Sequence, residues 1–128
     1  MNTLQTLAAP AGRVLLATLF LLAGLQKIGN YEGTLAYMAS QGVPGFTLPL
    51  VIALEVLGAL AIIVGWQTRL VALLLAGFSI ASGLLFHFKP DDAMQMTMLL
   101  KNLSIAGGFL LLVAHGAGAW SVDGRRRG

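Results

Sequence analysis

The sequence predicts an all-α integral membrane protein, a bundle of four membrane-spanning helices. Three observations carry that reading. Of the 128 residues 57% are hydrophobic and only 10% are charged, and the mean hydropathy of +0.83 lies outside soluble usage. Four apolar runs, at about 11–28, 46–65, 70–88 and 98–120, are long enough at about 1.5 Å per residue to cross a hydrocarbon layer of about 30 Å. The polar connections between them are short, so residues 1–128 make one membrane domain.

The first span runs from about Ala11 to Ile28, with Arg13 at its start and Lys27 at its end. Pro10 suits the first turn of a helix, where its missing N–H needs no acceptor. The connection from Gly29 to Gly45 carries Tyr31, Tyr37 and Met38 on a half-amphipathic stretch, and two tyrosines there suit a membrane–water interface. The second span, Phe46–Gly65, is apolar at almost every position and holds one carboxylate, Glu55, in its middle. Trp66-Gln67-Thr68-Arg69 is a tight turn, and the third span runs from about Leu70 to Phe88. The segment KPDDAMQMT leads to the fourth span, about Met98 to Trp120, and the tail SVDGRRRG is polar.

Four spans put both termini on one side of the membrane. Arg13, Arg69, Arg125, Arg126 and Arg127 fall on that side, against Lys27, Lys89 and Lys101 on the other, which also holds Glu32, Asp91 and Asp92. The positive-inside rule then predicts cytoplasmic N- and C-termini. The net charge of +3 and pI of 9.8 do not point to nucleic acid, because three arginines cluster in the tail beside a span. No basic n-region precedes the first apolar run and no A-x-A-like site closes it, so a cleaved signal peptide is not expected. The chain has no cysteine, which excludes disulfides, thiol redox motifs and cysteine metal sites.

At helical spacing each span shows a stripe of small and polar residues. The stripes are Arg13, Ala17, Phe20, Gly24 and Lys27; Glu55, Gly58, Ala59 and Ile62; Ala72, Ala76, Ser79, Gly83 and His87; and Lys101, Ser104, Gly108, Leu111 and His115, with Asn102 alongside. Lipid tails are as apolar as leucine, so membrane helices associate through close packing of small residues and interhelical hydrogen bonds. The stripes are therefore expected to face inward. For the small residues, packing alone accounts for them.

The charged members ask for more. A carboxylate at the depth of Glu55 needs a cation or a proton, and the candidates to approach it are Lys27, Lys101 and Arg13. One reading is an ion pair that fixes helix register. The other is a proton-accepting group in a cavity lined by cations and amides, with Glu55 and His87 as candidate proton-transfer residues and Arg13, Lys27, Lys101 and Asn102 as candidate ligand-binding residues. Haem ligation by His87 and His115 within one subunit is rejected, because the topology puts them near opposite faces of the membrane. No metal site is expected. There is no dinucleotide fingerprint, P-loop, H-E-x-x-H or G-x-S-x-G either, so no nucleotide or covalently attached cofactor is expected, and redox chemistry would need a lipid-soluble quinone or a partner protein.

With these residues in view, the chain resembles the DoxX family of small four-span bacterial membrane proteins. The resemblance rests on the Arg-led first span ending in G-L-x-K (Gly24 to Lys27), the E-x-x-G of Glu55 to Gly58, and the G-x-x-T-R of Gly65 to Arg69. The K-N-L-x-I-A-G-G run of Lys101 to Gly108 and the S-x-D of Ser121 to Asp123 complete it. It implies a bacterial inner membrane and a link to thiosulfate:quinone oxidoreduction, to quinone or hydroquinone stress, or to a membrane-associated oxidoreductase complex. It also implies that the family's recurring polar positions correspond to Arg13, Lys27, Glu55, Lys101 and Asn102.

Three functions remain open on this reading. The first is a redox-associated subunit that binds quinone or a similar small apolar molecule between its helices, with Lys101 and Asn102 holding a carbonyl oxygen. The second is a small proton-coupled exporter, although cations in the cavity would repel a cationic substrate. The third is a non-catalytic anchor or scaffold for soluble oxidoreductases. Expected partners are the lipid bilayer, an oxidoreductase protein and, as an open question, further copies of the chain.

Overall fold

The computed structural model describes residues 3–126; Arg127 of the basic tail and the side chain of Arg126 lie outside the described set. The elements are α1 (Thr3–Gly29), α2 (Tyr31–Ser40), a 3₁₀ turn (Gly45–Thr47), α3 (Leu48–Val64), α4 (Thr68–His87), α5 (Ala93–His115) and α6 (Val122–Arg126). There is no strand among the described residues. Four helices, with the 3₁₀ turn leading into α3, are long and apolar enough to cross a membrane, and exposed leucines such as Leu15, Leu50, Leu57 and Leu111 cover their outer faces.

The helix ends follow local chemistry, and two differ from the sequence expectation. α1 begins at Thr3, so Pro10 lies inside it and not in its first turn. α5 begins at Ala93 because the Asp92 carboxylate caps it, accepting hydrogen bonds from the N–H groups of Met94 (3.0 Å) and Gln95 (3.2 Å). It stops at His115 because Gly116 and Gly118 take positive φ, so the fourth span sits about five residues earlier than expected, an offset of about 7 Å at 1.5 Å per residue.

The helices form two tight pairs, α1 with α3 and α4 with α5, joined mainly through α3 and α4. Gly24 lets α1 approach α3 closely: a Cβ there would lie 2.6 Å from Cγ2 of Val56. Gly83 does the same for α4 against Leu99 and Asn102. Between the pairs sits a core of Ala17, Ala59, Ala72, Ala76 and Ala106 around Phe20 and Phe109, whose rings meet edge to face at 5.4 Å. By contrast, α1 and α5 meet at only a few points, which leaves the bundle open along that side.

Three of the four stripes face inward. Arg13, Ala17, Phe20 and Gly24, then Glu55, Gly58, Ala59 and Ile62, then Ala72, Ala76, Ser79 and Gly83 are all buried. The fourth does not. On α5 the buried residues are Leu99, Ala106 and Phe109, while Lys101, Ser104, Leu111 and His115 are exposed. α5 packs chiefly on α4, where it meets glycine and alanine, so its own large side chains fill that seam.

One end of the bundle is clasped shut. The buried Arg13 guanidinium donates to the carbonyls of Ile62 (3.0 Å), Ile63 (2.9 Å) and Trp120, joining α1 to the end of α3 and to the C-terminal segment. Gly65 ends α3 at φ 75°, and a Cβ there would overlap Ser121 and Arg13. Asp123 then caps α4, its carboxylate accepting from the N–H groups of Gln67 (2.9 Å) and Thr68 (2.8 Å). Replacing Arg13 by Met is expected to remove three charged hydrogen bonds to backbone carbonyls and cost about 2–4 kcal/mol, from typical values for hydrogen bonds to charged groups. Thermal unfolding in detergent should show a lower midpoint for Arg13→Met, and an unchanged midpoint would deny the clasp its role.

Candidate functional site

Glu55 stands near the middle of α3, about 10 Å from Leu48 at 1.5 Å per residue. Its side chain is 3% exposed, and the Lys27 ammonium lies 2.7 Å from its Oε1. Gly24 makes this pair possible: it lets α1 lie against α3 one turn before Lys27, so the lysine stem reaches across the seam. Lys27 is 28% exposed and is reached from the cavity side.

That cavity has a volume of about 880 Å³, at the upper end of the range for small-molecule sites. Its walls are mostly apolar, with Leu19, Phe20, Leu48, Val51, Phe78 and Ile105 among them. Five of the six residues singled out from sequence line it: Lys27, Glu55, His87, Lys101 and Asn102. The sixth, Arg13, does not. It is occupied by backbone carbonyls at the clasped end, beyond the Glu55 level by about two turns of α3.

The polar rim is specific in what it offers. Asn102 donates its amide N–H groups to the Ser79 carbonyl (3.1 Å) and the Ser82 hydroxyl (3.3 Å), which ties α5 to α4 and leaves Oδ1 as the atom available to a ligand. It therefore presents an acceptor, and the expected amide donor to a carbonyl oxygen is already engaged. His87 Nδ1 lies 2.7 Å from Oε1 of Gln95, so Nδ1–H is the donor and Nε2 is the free nitrogen. The hydroxyls of Thr34, Ser79, Ser82 and Thr97 donate to backbone carbonyls of their own helices. Lys101, exposed and about 12 Å into α5 at 1.5 Å per residue, pairs with no carboxylate among the described residues.

Sequence reasoning missed the α2 contribution. Thr34, Tyr37 and Met38 close the cavity at the Lys27 end, and the Tyr37 ring stacks on Phe86 of α4 with centroids 5.3 Å apart. The two tyrosines in the connection were the signal for an interfacial helix, but nothing in their spacing pointed to Phe86. His115 lies at the opposite end from His87, beside a second, more polar cavity of about 540 Å³ with Arg69 and Asp123. Among the described residues no three His, Cys, Asp or Glu side chains converge as metal ligands.

The DoxX family model matches residues 8–88, which cover most of α1 and all of α2 to α4 and therefore Arg13, Lys27, Glu55 and His87. The chain is similar to "Inner membrane protein YqjF" of Escherichia coli (strain K12), 47% identical over 96% of this chain and 95% of the relative. "Inner membrane protein YphA" of the same organism is 38% identical over 88% of this chain and 86% of its own. "Putative oxidoreductase CatD" of Bacillus subtilis (strain 168) is 31% identical over 73% of both chains. No solved structure matches the chain.

The ion pair yields a double-mutant test. Lys27→Met should strand the Glu55 charge and cost about 1–3 kcal/mol, less than a fully buried pair because Lys27 is partly exposed. Adding Glu55→Gln should recover part of that loss. Thermal unfolding of the two single variants and the double variant measures the coupling, and additive losses would mean that the two groups do not interact.

Proposed function

The chain belongs to the DoxX family, and from that premise we propose that it is a bacterial inner-membrane protein whose cavity binds a molecule of the quinone class as part of a redox-associated system. The observation that carries this reading is the convergence of Glu55, Lys27, His87, Lys101 and Asn102 on one largely apolar cavity at membrane depth. Ionisable groups inside a membrane domain mark ligand or proton pathways more often than packing surfaces. The ring of a quinone suits the walls formed by Phe20, Phe78 and Phe86, and its oxygens suit the polar rim. The word oxidoreductase in the name of one relative adds support by analogy.

In this reading the chain supplies protons and a binding place, and a partner oxidoreductase supplies electrons. Conversion of a quinone to its quinol consumes two electrons and two protons. Glu55 gives one proton to the ring oxygen nearest it while Lys27 holds the carboxylate between transfers. The second proton reaches the other ring oxygen from the aqueous phase by way of His87. His87, at the end of α4 and hydrogen-bonded to Gln95, connects the cavity to the aqueous phase at the Lys27 end.

The proposed orientation has both termini in the cytoplasm. Arg13, Arg69 and Arg125 then sit at the cytoplasmic end and Lys27 and Lys89 at the other, which places the cavity in the outer half of the membrane.

Two measurements test these proposals. Quinone extracted from gently purified protein and quantified by mass spectrometry should be near stoichiometric in the wild type and absent from Glu55→Gln, whose fold should persist because the substitution keeps the size of the side chain. Phospholipid alone in both samples would remove the quinone role and favour an anchor for partner proteins. For orientation, a fluorescent-protein fusion after Arg125 should light up and an alkaline phosphatase fusion there should be inactive; the reverse pattern would invert the assignment.

A further inference from the structure

The charges that face the cavity do not cancel. Glu55 is matched by Lys27 at 2.7 Å, and among the described residues no other carboxylate lines the space. Lys101 lines it too, exposed and without an anionic partner among the described residues. A lone ammonium about 12 Å along a membrane-spanning helix, at 1.5 Å per residue, is costly unless an anion meets it or its stem carries it to the interface.

The donors tell the same story. Thr34, Ser79, Ser82 and Thr97 have given their hydroxyl hydrogens to backbone carbonyls, and Asn102 has given its amide hydrogens to α4. Most neutral donors in the lining are therefore spent, and the strongest one left facing the space is the Lys101 ammonium. A neutral carbonyl can accept from it, but an anionic oxygen forms the stronger bond and also cancels the charge.

The way in is lateral. The cavity is bounded by Leu19 and Ala23 on α1 and by Lys101, Ser104 and Ile105 on α5, and these two helices meet at only a few points. Leu19 and Lys101 are both exposed on that side. A ligand with its head at Lys101 can therefore leave a chain running between α1 and α5 into the lipid.

We infer that the occupant of this cavity is an amphiphile that binds through a single anionic oxygen head paired with Lys101, its apolar tail leaving through the gap between α1 and α5. The inference rests on the reading of this cavity as a quinone-class site and adds the charge and shape of the ligand. Lys101 is a specificity-determining residue in this account, and Glu55 with Lys27 is an internally neutral pair beside it.

The test uses the full chain in phosphatidylcholine nanodiscs. The probes are a 2-hydroxy-3-alkyl-1,4-naphthoquinone, ionised at neutral pH, and its neutral 2-methoxy counterpart. The anionic compound should bind about ten-fold more tightly, the size of a modest ion pair. That preference should fall to about one in Lys101→Gln and persist in Lys101→Arg; Lys101 is exposed and its side chain bonds to nothing among the described residues, so neither variant threatens the fold. Equal binding of the two compounds, or a preference that survives Lys101→Gln, would overturn the inference and leave the quinone reading standing. If neither compound binds but phosphatidylglycerol is retained from mixed nanodiscs in a Lys101-dependent way, the quinone reading falls and the anionic amphiphile is a lipid. Failure of all three ligands would end both.

Discussion

A carboxylate halfway along a membrane-spanning helix has to find its counter-charge inside the protein, and this constraint organises the fold. Glu55 meets Lys27 only because α1 can lie against α3, and α1 can do so only because residue 24 has no side chain. The same seam carries Ala17 and Ala59 with Phe20 behind them. Close approach of the backbones and pairing of the charges are thus one event. Enlarging Gly24 would push the helices apart at the height where the pair forms.

The two ends of the bundle solve opposite problems. At one end Arg13 and Asp123 satisfy backbone groups that the tight Gly65 turn leaves open: the guanidinium takes carbonyls from α3 and the C-terminal segment, and the carboxylate takes the first N–H groups of α4. At the other end α2 and the stacked Tyr37–Phe86 pair cover a cavity that the helices do not fill. A rigid clasp at one end lets α1 and α5 stand apart at the other without the bundle losing its register.

Most of the fold was legible because membrane spans announce themselves by length and apolarity, and because three of the four helices bury their smallest residues. α5 broke the second rule. Ala106 is buried, but Ser104 and Gly107 lie on exposed faces, while Gly83 on α4 provides the close approach to Leu99 and Asn102. A helix packed against a small-residue face can bury large side chains, and periodicity within one helix does not say which partner is the small one. The place of Arg13 away from the cavity lining was not legible for a related reason. A charge at the start of a span can turn toward the cavity or toward the chain end, and only the position of the Gly65 turn, set by residues far away in sequence, decides between them. The cavity residues on α3, α4 and α5 were legible as ionisable or amide groups where lipid would forbid them, whereas Thr34 and Tyr37 lie on an interfacial helix where polar residues are ordinary.

The recurring motifs sort by end, and that division limits what each can contribute. Arg13, the Gly65–Arg69 turn and the Ser121–Asp123 segment build the clasp, where Arg13 donates its hydrogen bonds to backbone carbonyls. Gly24 to Lys27, Glu55 to Gly58 and Lys101-Asn102 build the cavity and its seam. In the proposed reading, a residue of the first set acts on a ligand only by holding the helices that carry the second. Within the second set there is a further division: Gly24 and Gly58 let helices approach, Asn102 ties α5 to α4, and Lys27 neutralises Glu55. Lys101 has no such structural task among the described residues. A charge that the fold does not use, lining a cavity of a membrane-spanning bundle, is the observation on which the proposed anionic ligand rests.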